Sequence, residues 1–296
     1  MKVLLTGAGG QLGTALQKSC PGAVELIVTD QAELDLSDAK ACAEMVAALK
    51  PDWVLNGGAY TAVDRAEEQP QLAEAINAAA PRAFAEALAE LGSGRLLQIS
   101  TDFVFSGMQG HPYGAQDPVA PLGVYGASKA RAEAAVFEVL GPERACVLRT
   151  SWLYGPVGKN FCLTMLRLHA AKAAAGEALN VVADQVGCPT HTAGLAAACW
   201  QVLARDIGGM QQWSDAGVAS WYDFAVAIGE EAVALGILAT AAQVNPISTA
   251  EYPTPAQRPS YSLMDCSASR KALGLEPLHW RQGLRKVLTD IERGST

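Results

Sequence analysis

A glycine-rich loop between an apolar strand and a helix constrains the fold of this chain more than any other sequence feature. Residues 3–6 are apolar up to Thr6, the loop 7–13 has the form Gly-x-x-Gly-x-x-Gly, and residues 11–18 have the pattern of a helix. Glycines at these positions let the backbone approach a pyrophosphate, which then lies on the helix N-terminus. The loop therefore predicts a dinucleotide-binding unit, with Gly7 and Gly10 among the cofactor-binding residues.

Strands and helices are predicted to alternate through the first half of the chain. Apolar segments predict strands at residues 26–29, 53–55, 95–100 and 146–151. Helices are predicted between them at residues 38–49, 71–91 and 128–140, the first capped by Ser37. Apolar strands that alternate with helices predict a parallel sheet covered on both faces. The expected fold class is α/β, with a Rossmann-type doubly wound sheet.

The alternation loosens after Trp152, which predicts a second, smaller part of the chain. We expect residues 1–151 to form the nucleotide-binding domain and residues 152–296 to form mostly a substrate-binding lobe. The segment near 185–210 is expected to pack back on the first domain. In the lobe, Ser220 and Asp223 have the spacing of a capping box at the start of a helix.

Composition and charge exclude several classes of protein. The 296 residues carry a formal net charge of −8, which argues against binding to nucleic acid or to an anionic membrane surface. The seven cysteines are scattered, which is typical of reduced thiols, and the four histidines have no metal-ligand spacing. Strand 3–6 follows Met1 and Lys2 directly, and no apolar run reaches the roughly 18 residues that span a bilayer. We expect a soluble cytoplasmic protein without a metal.

Three residues point to redox chemistry between a carbonyl and an alcohol. Tyr125 and Lys129 lie four residues apart, so on a helix they share one face. An ammonium near a phenol favours the phenolate, so Lys129 is predicted to lower the pKa of Tyr125 from about 10 toward neutrality. Thr101 follows an apolar strand 24 positions earlier and is placed to hold a substrate oxygen against the tyrosine. A nicotinamide cofactor on the glycine loop would exchange the hydride.

Further cofactor-binding residues are predicted where the second and third strands end. Asp30 lies 17 residues after Gly13, where an acid can bond the adenosine ribose and repel a 2′-phosphate, which favours NADH. Asp35 and Leu36 are placed to flank the adenine. The segment with Ala59, Tyr60 and Thr61 is placed to line the nicotinamide side.

Several motifs are similar to those of the extended short-chain dehydrogenase/reductase superfamily. They include the glycine loop, residues 56–64, 100–107, 121–126, 149–154 and 160–161. Asp-Gln-Val-Gly-Cys-Pro-Thr at 184–190 and Tyr-Pro-Thr-Pro-Ala-Gln-Arg-Pro at 252–259 narrow the match. With these segments the chain resembles the dTDP-4-dehydrorhamnose reductase family over nearly its whole length.

The resemblance implies roles for individual residues. The catalytic set would be Thr101, Tyr125 and Lys129. The sugar would meet Thr101, Asp102 and Trp152, with Trp152 stacked on the ring, and Arg258 would pair with the nucleotide diphosphate. Cofactor contacts would come from Gly10, Gln11, Leu12, Asp30, Asp35, Leu36, Ala59, Tyr60 and Thr61. Tyr125 and Lys129 are expected to contact the cofactor as well, Lys129 at the ribose of the nicotinamide.

The resemblance also bears on cofactors and assembly. It implies use of NADPH, often alongside NADH, so together with Asp30 it leads us to expect dual use. Phe103 stands where the family often has tyrosine, so a hydroxyl is missing one residue after Asp102. Some members bridge a dimer through glutamate-bound Mg²⁺, but Ala15 and Ala193 occupy those places here. We therefore expect no metal and leave a homodimer open.

Two other functions stay open at this point. One is a nucleotide-sugar epimerase or dehydratase of the same superfamily. Dehydratases typically carry Thr-Asp-Glu, whereas this chain has Thr101-Asp102-Phe103. The other is a non-catalytic NADP-binding regulatory subunit, against which the complete catalytic set argues.

The expected substrate is dTDP-4-dehydro-β-L-rhamnose, reduced at C4, as the last step of dTDP-L-rhamnose synthesis.

Overall fold

The structure is a computed structural model and describes residues 1–294. Its strands are β1 (Lys2–Thr6), β2 (Glu25–Thr29), β3 (Trp53–Asn56), β4 (Arg95–Thr101), β5 (Ala145–Thr150), β6 (Leu153–Tyr154), β7 (Leu179–Val182), β8 (Val186–Gly187), β9 (Thr190–His191), β10 (Gly209–Gln212), β11 (Ala219–Ser220) and β12 (Val244–Ile247). Its helices are α1 (Gln11–Lys18), α2 (Ala39–Leu49), α3 (Val63–Glu68), α4 (Pro70–Glu74), α5 (Ala80–Glu90), α6 (Val124–Arg144), α7 (Phe161–Ala175), α8 (Thr192–Ala204), α9 (Trp221–Ala234), α10 (Ser267–Leu273) and α11 (Trp280–Gly294).

The central sheet has six parallel strands in the order β10-β5-β4-β3-β1-β2. From β1 the chain moves outward to β2 and then crosses back to β3 on the other side of β1. The direction of winding therefore reverses between β1 and β3. In a doubly wound sheet, ligands bind beyond the carboxyl ends of the strands at this reversal. The α/β, Rossmann-type prediction is confirmed.

Helices cover both faces of the sheet. Residues of α1 and α8 pack with β1, β3, β4 and β5 on one face, and residues of α2, α5 and α6 pack on the other. All residues of β3 and β5 are buried, as expected for strands covered on both sides. The segment that contains α8 thus packs on the central sheet.

A second core lies beyond the sheet, between α7, α9 and α11. The short pairs β7–β12 and β8–β11 lie in this part. Helix α9 begins with a capping box, in which the Ser220 side chain accepts from the Asp223 N–H while the Asp223 carboxylate accepts from the Ser220 N–H. This predicted capping box is therefore present. We keep the domain limits 1–151 and 152–296 as a prediction.

Two predicted helix starts were wrong. Asp38 rather than Ser37 caps α2, because its carboxylate accepts from the Ala41 N–H at 3.0 Å. Helix α6 begins at Val124, four residues before the predicted start, although no side chain at its N-cap accepts a hydrogen bond. The Glu67 carboxylate accepts from the Val124 N–H at 2.8 Å instead. A partner 57 residues away in the chain leaves no local sequence signal.

Candidate active site

Three loops form a cleft of about 550 Å³ at the carboxyl ends of β1, β2 and β3. They are the loops that the sequence assigned to the cofactor. Every predicted cofactor-binding residue except Tyr125 and Lys129 lines this cleft, namely Gly7, Gly10, Gln11, Leu12, Asp30, Asp35, Leu36, Ala59, Tyr60 and Thr61. The structure therefore brings them together at the reversal of the sheet.

The glycine loop has the shape of a phosphate cradle. Gly7 has a φ of 69°, and a Cβ there would lie 2.7 Å from Gly58 in the neighbouring loop. A Cβ on Gly13 would overlap the Gly7 carbonyl. The N-cap of α1 is Gly10, without a side chain to accept from the first amides of the helix. These amides are therefore available to an anion, and the cradle fits a pyrophosphate.

The other residues predicted to bind the cofactor differ in the groups that they expose to the cleft. Asp30 is exposed and its carboxylate lies against Gly9, so it can reach a ribose bound on the loop. Hydrogen bonds from Ser37 hold the pKa of Asp35 below its usual range. Leu12 is buried in the core and offers only its backbone. Tyr60 donates from its N–H to Asn77 Oδ1 at 2.8 Å, which fixes the third loop.

The three predicted catalytic residues meet beyond the end of β4. Thr101 is its last residue, and Tyr125 and Lys129 share one face of α6. Lys129 is 3% exposed as a residue, and its ammonium donates to the Ile99 carbonyl at 2.6 Å. The ring of Tyr125 contacts Phe103 edge to face, with centroids 5.8 Å apart. The hydroxyl of Thr101 lies near the phenol and acts to lower its pKa.

The electrostatics of this pair differ from the sequence-based prediction. Burial raises the pKa of the Tyr125 phenol to about 12, against a smaller lowering by the Thr101 hydroxyl. Burial also lowers the pKa of Lys129 to about 8, while the charge of Glu133 acts in the opposite direction. The prediction that the pKa of Tyr125 falls toward neutrality was wrong for this structure, because burial outweighs the influences that lower it. Near neutral pH the tyrosine is a protonated donor.

Asp102 follows Thr101 directly after the end of β4. Its side chain is buried, with a residue exposure of 1%, and it accepts from Ser262 Oγ at 2.5 Å and from Thr101 Oγ1 at 3.1 Å. Burial raises its pKa to about 6, despite the hydrogen bonds from Ser262 and Thr101. In this geometry the carboxylate orients the Thr101 hydroxyl.

A second cleft, of about 560 Å³, is lined by residues of the lobe and by Asp64 of α3. The guanidinium of Arg258 pairs with Asp64 in a bidentate arrangement, with distances of 3.0 and 2.8 Å between nitrogens and oxygens. This pair holds the pKa of Asp64 below its usual range. Arg258 thus lies in the cleft, as a diphosphate-binding residue must, but with a carboxylate as its partner.

Trp152 stacks on another tryptophan in the structure. Its ring lies parallel to that of Trp221, with an interplanar angle of 6° and centroids 3.6 Å apart. Trp152 has a φ of 46°, a conformation that costs a residue with a Cβ about 1–2 kcal/mol. Backbone strain of this kind concentrates at functional sites. Trp221 also lines the second cleft, so the aromatic pair joins the sheet end to the lobe.

Sequence reasoning missed several residues of the site. Ser262, Asp64 and Trp221 are far from their partners in the chain and carry no local signal. Glu133 could have been predicted from the sequence, because it lies four residues after Lys129 and therefore on the same helix face. Its partner is Arg149 on β5, and both side chains are buried.

Within residues 1–294, no group of three or more His, Cys, Asp and Glu residues is placed to hold a metal ion. Over the same residues, no helix has the length and apolar character that a bilayer crossing requires.

Known proteins resemble this chain over its full length. The family model described as RmlD substrate binding domain matches residues 1–293. The dTDP-4-dehydrorhamnose reductase of Aggregatibacter actinomycetemcomitans is 38% identical over 97% of this chain and 98% of its own. The crystal structure of a dTDP-4-dehydrorhamnose reductase from Clostridium acetobutylicum has a TM-score of 0.89 and 37% identity, over 99% of this chain and 100% of its own. That of Bacillus anthracis, in complex with NADP, has a TM-score of 0.88 and 33% identity, over 98% and 99%. The chain therefore belongs to the dTDP-4-dehydrorhamnose reductase family.

Proposed function

We propose that this protein reduces the C4 keto group of dTDP-4-dehydro-β-L-rhamnose to give dTDP-β-L-rhamnose, with NADPH or NADH as reductant. The observation that carries the proposal is the meeting of Thr101, Tyr125 and Lys129 beside a pyrophosphate cradle. Family membership supports the substrate, because these three side chains can serve any carbonyl. The reaction is the last step of dTDP-L-rhamnose synthesis.

The reduced nicotinamide supplies the hydride when it is bound in the first cleft. Tyr125 then gives the proton of its phenol to the oxygen on C4. The high pKa of this phenol, about 12, keeps the proton in place until a more basic alkoxide forms. For Thr101 to hold the same oxygen, its single hydroxyl proton would turn from Asp102, to which it is donated here, toward the C4 oxygen.

Lys129 has two roles in this mechanism. Its ammonium stabilises the phenolate that remains on Tyr125 after proton transfer, since opposite charges favour the ionised form. It also reaches the ribose of the nicotinamide. Both roles need the protonated amine, whose pKa is lowered to about 8 by burial.

The nucleotide sugar is proposed to occupy the second cleft. Arg258 carries a planar guanidinium that can bind a diphosphate in two places, and Asp64 holds it in that orientation. Trp152 would meet the sugar with the part of its ring that Trp221 and Gly187 leave free. Asp102 contributes through Thr101, because its own carboxylate is buried.

Dual use of NADPH and NADH follows from opposing features. Asp30 disfavours a 2′-phosphate by its charge, and Gln31 and Ala32 after it supply no cation to bind one. The structure from Bacillus anthracis, by contrast, is described as a complex with NADP. We propose that both cofactors are used with a modest preference, that no metal is required, and that the protein acts in the cytoplasm without nucleic acid or membrane partners.

The decisive assay follows the absorbance of the reduced nicotinamide with dTDP-4-keto-L-rhamnose, its D-epimer and UDP-linked 4-keto sugars. We expect stoichiometric consumption of the cofactor, fastest with the first sugar. Net consumption separates a reductase from an epimerase, and no turnover at all would indicate a regulatory subunit. Equal or faster reduction of the other sugars would refute the proposed substrate and leave the reductase chemistry intact.

A further inference from the structure

A buried carboxylate lies one helical turn beyond the catalytic lysine. Tyr125, Lys129 and Glu133 follow each other at intervals of four residues on α6, so they form one row. Glu133 Oε1 accepts from Ser100 Oγ at 2.6 Å. Both of its oxygens also accept from Arg149, at 2.9 and 2.7 Å. The carboxylate is therefore fully engaged with two strands of the sheet.

These contacts converge on the end of β4. Ser100 immediately precedes Thr101, and it is paired in register with Arg149 of β5. Ile99, one residue earlier, accepts from Lys129. Helix α6 is thus tied to two successive residues of β4, and the next residue is the threonine that faces Tyr125. A shift of this strand end would change the distance between the two hydroxyls.

The ion pair between Glu133 and Arg149 is buried and has further contacts. The exposed fractions of the Arg149 and Glu133 side chains are 3% and 5%. Arg149 also donates to the Ala115 carbonyl at 3.1 Å, and its guanidinium lies 4.9 Å from the ring centroid of Phe105. Each partner of such a buried bidentate pair depends on the other, because either one alone would leave an uncompensated charge.

The charge of this carboxylate also acts on the catalytic lysine. Burial lowers the pKa of Lys129 to about 8, and Glu133 is the charged group that opposes this effect. On the other elements around the site, Asp102 after β4 acts on the phenol of Tyr125, and Arg149 on β5 is already paired with Glu133. Glu133 therefore helps to keep an ammonium in a site that would otherwise favour the neutral amine.

We propose that Glu133, held by Arg149, is the positioning residue of this active site: it fixes the end of β4 against α6 and sets its carboxylate one helical turn from Lys129. The inference rests on the proposed function, because Lys129 is assigned there to the phenolate and to the ribose. Glu133 itself contacts neither the cofactor nor the substrate. Two measurable consequences follow, one on turnover and one on the pH dependence of cofactor binding.

The test variant is Glu133→Gln, which keeps the shape of the side chain and removes its charge. In the wild type, NADPH affinity and kcat/KM should fall as the pH rises through about 8, when Lys129 loses its proton. Without the carboxylate this alkaline limb should move to lower pH by at least about one unit, the usual effect of losing a close opposite charge. Glu138→Gln is the matched control, since Glu138 lies on the same helix but is exposed and paired with Arg82.

Two further variants test positioning without removing charge. Ser100→Ala deletes the hydrogen bond to β4, and we expect kcat to fall by up to about 10-fold while the alkaline limb stays in place. Glu133→Asp should also keep the limb, but lower kcat because the shorter side chain cannot reach both strands. Should Glu133→Gln fail to fold, these two variants decide the question.

The inference is overturned if Glu133→Gln binds NADPH with the wild-type pH dependence, or if Ser100→Ala and Glu133→Asp keep wild-type kcat. A loss of thermal stability alone, with both readouts unchanged, would give Glu133 a purely structural role. NADPH affinity is measured by fluorescence without any sugar. Suppose that the alkaline fall in NADPH affinity shifts in Glu133→Gln, although the wild-type protein reduces no keto sugar. That result would refute the proposed substrate and leave the role of Glu133 standing.

Discussion

Replacing Tyr125 by phenylalanine removes the proposed proton donor and little else. The ring keeps its edge-to-face contact with Phe103, 5.8 Å between centroids, and the cofactor cleft is untouched. The change deletes one hydroxyl, which lies near that of Thr101. Even a complete hydrogen bond would contribute only about 1 kcal/mol to stability, so the variant should remain folded.

The kinetic effect should be much larger than the effect on stability. With a pKa of about 12, the phenol of the wild type is almost fully protonated at pH 7 and is therefore available as an acid in every molecule. Loss of a general acid costs about 10²- to 10⁴-fold in rate. Since each factor of ten corresponds to about 1.4 kcal/mol, the barrier should rise by roughly 2.7–5.4 kcal/mol.

The assay measures kcat with saturating NADPH and dTDP-4-keto-L-rhamnose, and NADPH affinity by fluorescence in parallel. Tyr125→Phe should lose turnover and keep cofactor affinity within a few-fold. Tyr222→Phe is the matched control, because this tyrosine packs against the core of the lobe and lines neither cleft. Turnover of Tyr125→Phe within tenfold of the wild type would refute the assignment of Tyr125 as the acid.

Three more changes test other parts of the site. Asp30→Ala should shift the ratio of specificity constants from NADH toward NADPH, because it removes the negative charge beside the ribose, and an unchanged ratio would show that Asp30 does not contact it. Arg258→Ala should raise the KM for the nucleotide sugar by at least about tenfold, the scale of a charge-assisted pair, whereas an unaltered KM would place the diphosphate elsewhere. Arg149→Met should lower the free energy of unfolding, measured by urea titration, by about 3–5 kcal/mol, because Glu133 would keep a buried charge without a partner. A loss below about 1 kcal/mol would contradict the buried ion pair.

The parts of the fold that could be predicted were those with local signals. The glycine loop, the apolar strands and the caps such as Ser220 each depend on neighbours a few residues away. The one-residue error at Ser37 arose because Asp38 is an equally good cap. The early start of α6 was missed because its capping group, Glu67, comes from another helix.

The candidate site was predictable where chemistry dictates residue type and spacing. Tyr125 and Lys129 belong to that class, and the structure places them on one helix face. Their pKa values could not be predicted, because burial and the hydrogen bond of Lys129 to Ile99 arise only from tertiary packing. The same limit applies to the pair of Arg258 and Asp64, which are separated by 194 positions in the chain.

The last strand of the central sheet has a consequence for dissecting or recombining this protein. Strand β10 lies far beyond residue 151, yet it forms the sheet edge next to β5. A fragment that ends at residue 151 would expose the backbone of β5, all of whose residues are buried in the whole chain. Bare edges of apolar strands promote aggregation. A chimera that exchanges the lobe must therefore retain α8 and β10 from the parent of the nucleotide-binding part, so the fragment that can be transplanted is discontinuous in sequence.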